Sequence, residues 1–248
     1  MINDMLVILG KELKEFIFQR GDNRRSGILS LLVVLGLMGI YMPVLSKTEW
    51  LTNPLIPLAW SWMPIFLTIS MVTDSFAGER ERHTLETLLA SRLSDQAILF
   101  GKIFAAVMYA WGLSLTSLLL GAVTVNVLNW SGKIQFYALL PFVGSMVMMF
   151  LAALLMSSVG VLVSLRSSTV RVAYQKMSLT IMGLWIVPMI VLQLLPEDTT
   201  ARAARSLSGI QVNIPLLVTG AGLLLVAINI IMLAIARARF QRSRLILD

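Results

Sequence analysis

Apolar residues fall along this 248-residue chain in six long runs, at 26–46, 54–73, 97–126, 138–165, 176–195 and 212–236. Each is about 20 residues or more, the length that carries an α-helix across a ~30 Å hydrocarbon core. None alternates with a two-residue period, and in lipid a helix is the open-ended structure that satisfies its own backbone. The pattern therefore predicts six transmembrane helices. Ahead of the first run, Ile2, Met5, Leu6, Leu9, Leu13, Phe16 and Ile17 recur at helical spacing, with Lys11, Glu12, Lys14 and Glu15 between them. That predicts an amphipathic helix over 2–20, lying flat on a membrane surface. The third run is longer than one crossing, so its first turns, Gln96 to Lys102, are expected to project from the bilayer.

Prolines mark where these helices begin and end. Pro43 is expected to close the first span, Pro54 and Pro57 to open the second, Pro141 to sit in the first turn of the fourth and Pro215 to start the sixth. Those are positions where a missing N–H costs little. Pro64 and Pro188 lie inside spans and are expected to kink them. Small residues recur at four-residue spacing (Ala106, Ala110 and Ser114; Ser117 and Gly121; Ala153 and Ser157; Gly160 and Ser164). They let helices approach closely, within the chain or at a dimer seam. The stretch 197–211 reads as a weakly helical outer loop.

Composition agrees with the pattern. Hydrophobic residues make up 57% of the chain and charged residues 13%, against roughly 25% charged in soluble domains. Mean hydropathy is +0.83. No internal repeat or low-complexity linker divides the sequence. It reads as an all-α integral membrane protein: an N-terminal helix region at 1–25, a six-helix domain at 26–236 and a basic tail at 237–248. The chain has no cysteine, which excludes a disulfide framework or a thiolate metal site. Sixteen of the twenty Lys and Arg fall at one end of the alternating loops, and four, Lys47, Lys133, Arg202 and Arg205, at the other. By the positive-inside rule both termini and the segment 74–96 are cytosolic, as in a multi-pass protein of a prokaryotic inner membrane. The pI of about 10.1 is then a topology and anionic-lipid signal, not one of nucleic-acid binding. Tyr41, Trp50, Trp60, Trp62, Trp130 and Tyr137 fall near the opposite boundary, where amphipathic rings settle.

Several chemistries are missing. No ionisable residue lies well inside a span, so no ion-coupling site is visible. His83 is the one histidine, and no HExxH spacing or phosphate-binding GxxxxGK[ST] loop occurs. The chain is read as neither an enzyme nor a cofactor binder. If it moves anything uphill, the energy enters from another subunit.

The densest charge lies in Asp74–Gln96, which carries Asp74, Glu79, Arg80, Glu81, Arg82, Glu86, Arg92 and Asp95. This segment runs DSFAG, then ERERHTLETLL from Glu79 to Leu89, then SDQAILFGK from Ser94 to Lys102. It resembles the permease subunits of type-2 ATP-binding cassette (ABC) transporters, whose loop between the second and third spans reads roughly D-x-x-A-G-E-R-E-x-G-T-L-E-x-L-L-x-x-P-x-S-R-x-x-I-x-x-G-K. The match covers about 30 residues. His83 stands where that family has Gly, and Arg92-Leu93 where a Pro is common. The resemblance implies a coupling helix at Thr84–Ser91 docking on a separate ATP-binding subunit, present in two copies with ATP and Mg. Glu79, Arg80, Glu81, Thr84, Leu85, Glu86, Leu88, Leu89 and Arg92 are the docking residues it nominates. Leu85, Leu88 and Leu89 form an apolar stripe suited to a groove on such a partner. It further implies a second permease chain, a homodimer being the simplest case, with a pathway where the second and fifth spans meet. Thr68, Ser70, Ser178 and Thr180 are the candidate lining residues. The alternative is a non-transporting membrane scaffold on which a partner ATPase does mechanical or assembly work.

Overall fold

The computed structural model describes residues 2–18, 24–130, 132–194 and 214–240. Among them every regular element is helical: α1 (Ile2–Phe18), α2 (Arg24–Gly36), α3 (Met42–Ser46), α4 (Glu49–Thr52), α5 (Leu55–Ala59), α6 (Met63–Glu81), α7 (Leu85–Ala90), α8 (Asp95–Leu128), α9 (Leu139–Leu165), α10 (Val170–Leu194) and α11 (Ile214–Arg239). Among the described residues four stretches are long and apolar enough to cross a membrane: Leu55–Glu81, Asp95–Leu128, Leu139–Leu165 and Val218–Arg239. The first expected span falls short of that standard, its described part being a shorter apolar helix, Leu31–Ser46, and α10, which overlaps the fifth, is not among the four. The expected loop at 197–211 and the tail beyond 240 lie outside the described residues.

The prolines explain most helix boundaries, with one correction. Pro43 does not close the first helix. A π-helical turn, Leu37–Tyr41, leads into α3, and Pro43 sits in the first turn of that last piece. Pro43 has no N–H to offer the Gly39 carbonyl, four residues back. The Thr124 hydroxyl of α8 donates to that carbonyl at 3.0 Å instead. Pro64 lies in the first turn of α6, directly after a 3₁₀ turn at Trp60–Trp62; the expected kink is thus a change of helical pitch. α8 starts two residues before its apolar run because Ser94 caps it, its Oγ accepting from the Ala97 N–H at 3.2 Å. At 34 residues the helix is about 51 Å long.

α6 and α9 form the centre of the bundle. They pack tightly at Gly160, where a Cβ would meet Val72 Cγ1 at 2.2 Å. One turn on, the buried Ser164 Oγ accepts from the Phe76 and Ala77 N–H groups at 3.1 and 2.9 Å, and lies 3.1 Å from the Thr73 carbonyl. α8 packs on both helices, α1 lies across α8, α10 rests on α6 and α11 on α9. All nine small residues picked out by spacing are buried inside this chain. Their close contacts serve intramolecular packing, which removes them from any dimer seam. The largest core joins α1, α6, α7, α8 and α9 around Phe76, Ile98 and Ile103 at the end of the bundle that carries the charged segment. A second core surrounds Trp50, Leu118 and Tyr137 at the other end.

Candidate functional site at the charged end

The segment 74–96, expected to lie in the cytosol, is not exposed throughout. α6 continues through Asp74 to Glu81, and Ser75, Phe76, Ala77, Gly78 and Glu79 on those turns are buried. Phe76 and Ala77 supply the reason: they carry the apolar face of α6 past the end of its long apolar run. Phe76 meets the Phe240 ring at a centroid distance of 5.3 Å.

The helix then stops in a fully formed Schellman turn. The Thr84 N–H donates to the Glu79 carbonyl at 2.9 Å and the His83 N–H to the Arg80 carbonyl at 3.1 Å. His83 takes φ +58°, the left-handed conformation that costs an L-residue roughly 1–2 kcal/mol and that Gly adopts freely. The ABC-permease pattern has Gly at this position, and the backbone here has the shape a glycine suits. His83→Gly should therefore stabilise the chain by about 1 kcal/mol, read as a raised melting temperature in detergent, and His83→Val should lower it. A Gly variant that melts below the parent would mean the imidazole contributes a bond that outweighs the strain.

α7 follows, with Thr84 and Ser91 at its two caps. Its apolar stripe turns inward. Leu85 is buried in the largest core, and Leu88 and Leu93 pack against that core half-buried; the Leu89 side chain lies outside the described residues. What α7 and its flanks present to the outside is polar: Glu81, Arg82, His83, Thr84, Glu86, Thr87 and Arg92, with Ala90 among them.

Beneath α7 lies a buried cluster of charge. Lys102 of α8 is 2% exposed. Its Nζ lies 2.5 Å from Glu12 Oε1 of α1 and 3.5 Å from Glu79 Oε1 of α6, and donates to the Ser75 carbonyl at 2.8 Å. It also stands 5.2 Å from the centre of the Phe76 ring. Glu79, 5% exposed, receives the Thr84 hydroxyl as well and faces Lys11 of α1 at 3.7 Å. A buried charge is tolerated only when paired and hydrogen-bonded, and here two carboxylates and a backbone carbonyl surround one ammonium. Four helices, α1, α6, α7 and α8, meet in this one clasp. An open cleft of about 530 Å³ beside it is lined by Lys11, Glu15, Phe16, Met71, Asp74 and Arg82, among others; Arg82 and Asp74 pair across it at 3.3 Å.

Arg80 and Glu81 fasten the same helix end to the turn between α9 and α10. Arg80 donates to the Ser167 and Leu165 carbonyls at 2.9 and 3.2 Å, closing the C-terminus of α9. Glu81 Oε2 accepts the Val170 N–H at 3.1 Å, at the N-terminus of α10. Each charge has the sign its helix end favours. Of the residues nominated for docking, Glu79, Arg80, Glu81, Thr84, Leu85 and Leu88 thus make contacts inside the chain. Glu86 and Arg92 are exposed, with Glu81 and Thr84 still partly at the surface. Of the nominated lining residues, Thr68 is buried, its hydroxyl 3.0 Å from the Pro64 carbonyl of its own helix. Ser70 and Ser178 are half-buried, and Thr180 is exposed with its hydroxyl bonded to the Lys176 carbonyl at 2.8 Å.

Glu12 and Lys102 were not singled out from the sequence. Their signals were present: Glu12 interrupts the Ile8–Phe16 face of α1 at four-residue spacing, and Lys102 stands within the third apolar run. Among the described residues no group of His, Asp or Glu side chains is placed to hold a metal ion. The arrangement is a set of ion pairs and hydrogen bonds that ties α1, α6, α7, α8 and the α9–α10 turn together. Compared with family models, with curated proteins and with solved structures, the chain matches none.

Proposed function

We propose that this chain is the membrane-spanning permease subunit of an ABC exporter, forming the pathway as a dimer and driven by separate ATP-binding subunits that dock on its 79–93 loop. One observation carries the reading. The most charged segment of a very apolar protein is held rigidly by α1, α8 and the α9–α10 turn, and it offers a polar outer face on a short helix. A loop that only linked two spans would not need such bracing; one that transmits force would. Six spans with both termini cytosolic belong to the proposal, supported by the distribution of Lys and Arg. The cargo is amphipathic or apolar, because the hydroxyls, methionines and aromatics of the spans offer no counter-charge for a bare ion.

Glu86→Arg is the cleanest probe of docking, since Glu86 is exposed and makes no contribution to the core; Leu88→Asp would damage the chain's own packing instead. In the presence of the proposed ATP-binding subunit, Glu86→Arg should weaken association about tenfold or more, as expected for reversing one interfacial charge, at unchanged expression. Unchanged binding and unchanged ATP-driven transport in proteoliposomes would reject the docking assignment. Hydrolysis without transport of any amphiphile would favour the scaffold. The topology is checked separately: a cysteine at Ser46 should react with an impermeant thiol reagent from outside intact cells, and one at Ser91 should not.

A further inference from the structure

At the end of the bundle away from the charged loop, α8 exposes Leu119, Val123 and Val127 at four-residue spacing, a single stripe along the helix. The chain after α8 folds back beside that stripe, and Asn126 fixes it there. Its Nδ2 donates to the Gln135 carbonyl and its Oδ1 accepts the Gln135 N–H, both at 2.7 Å. The fold-back leaves a slot of about 480 Å³ between the stripe and Trp130, Ile134 and Phe136, within the ~300–1,000 Å³ of ordinary ligand sites.

Three features say what the slot takes. Its walls are apolar, the polar groups of Asn126 and the Gln135 backbone being committed to one another. It is lined along one side by the Leu119, Val123 and Val127 stripe of α8, so a flexible hydrocarbon chain can lie along the helix. Ile134, Trp130 and Phe136 are 81%, 64% and 52% exposed, more outward apolar surface than a loop in bulk water usually carries. Lys133, next to Ile134 and itself exposed, puts a positive charge at the rim, where a long stem lets an ammonium reach the headgroup layer.

We infer that this slot binds one acyl chain of a phospholipid, with Lys133 beside the phosphate, and that Trp130 and residues 132–136 lie in the outer interfacial layer of the bilayer. The inference rests on the reading that α8 crosses the bilayer with this end outward. It does not depend on an ATPase partner or on transport.

The test uses the full chain in nanodiscs of phosphatidylglycerol carrying mid-chain bromine, a quencher of tryptophan. The Trp130 signal is obtained as the difference between parent and Trp130→Phe. Strong quenching by the bromolipid with little by aqueous iodide is expected; the reverse overturns the slot. If bromine quenches none of the six tryptophans, the bilayer reading fails and the slot with it. Native mass spectrometry supplies the second arm. Val123→Trp fills the slot from an exposed position, so the fold should survive while retained phosphatidylglycerol drops severalfold. Lys133→Glu should reduce retention of the anionic lipid and leave the bromine quenching in place. Equal retention by parent and Val123→Trp overturns the proposal, as does retention indifferent to Lys133→Glu for its headgroup half.

Discussion

Replacing Lys102 with Met is expected to destabilise the chain by about 3–5 kcal/mol, the cost of breaking a buried ion pair from one side. The size follows from what remains behind. Glu12 and Glu79 would face each other across the space left by the ammonium, the Ser75 carbonyl would lose its donor, and Lys11 is too exposed to compensate. Removing the carboxylates along with the lysine changes the sign of the argument. A triple variant, Lys102→Met with Glu12→Gln and Glu79→Gln, should regain part of the lost stability, since it leaves no carboxylate buried without its lysine. Thermal unfolding of the purified proteins in one detergent compares the three. A Lys102→Met protein that melts with the parent would show that the clasp is open or hydrated in solution.

The second large effect is expected at Gly160. A methyl group there would lie 2.2 Å from Val72 Cγ1 and 2.9 Å from Val72 Cβ. Val72 is β-branched and 1% exposed, so it has no free rotamer into which to retreat. Gly160→Ala should cost about 1–3 kcal/mol through forced separation of α6 and α9. That separation would also lengthen the three Ser164 bonds one turn away. Val72→Ala placed in the same protein should restore the approach, and the pair should be more stable than Gly160→Ala alone. If the double variant is no better, the contact between these helices lies elsewhere.

Much of the helical layout was legible because hydropathy, proline and capping act locally. The starts of α9 and α11 fell within two residues of expectation. α7 lies within Thr84–Ser91, a helix expected from the family resemblance and not from these local rules. What was not legible depended on which way a side chain faces. Leu85 and Leu88 have the spacing of a docking stripe, but the same spacing serves a helix that folds back onto its own core, and only the turn at His83 decides between the two. Glu79 stood in a charged run and read as surface, yet helical periodicity from Ser75 and Phe76 carries it inside, opposite a lysine 23 positions along the chain. Pro43 misled for a different reason: it offers no N–H to the Gly39 carbonyl, which the Thr124 hydroxyl reaches from another helix, a contact that no local rule anticipates.

The clasp and the Arg80–Glu81 fastenings join α1, the last turns of α6, α7, the start of α8 and the α9–α10 turn into one stiff block. A block of this kind transmits angles better than it transmits compression. From Met63 to Glu81, α6 is an unbroken rod of 19 residues, about 28 Å long. The 3₁₀ turn at Trp60–Trp62 lies at its far end. A swing of about 10° there would carry Glu81 through roughly 5 Å, taking the ~1.5 Å rise per residue, and the reverse holds for a push on α7. Label pairs inside the block should therefore keep their spacing in every state of the protein, while pairs that straddle the tryptophans change theirs.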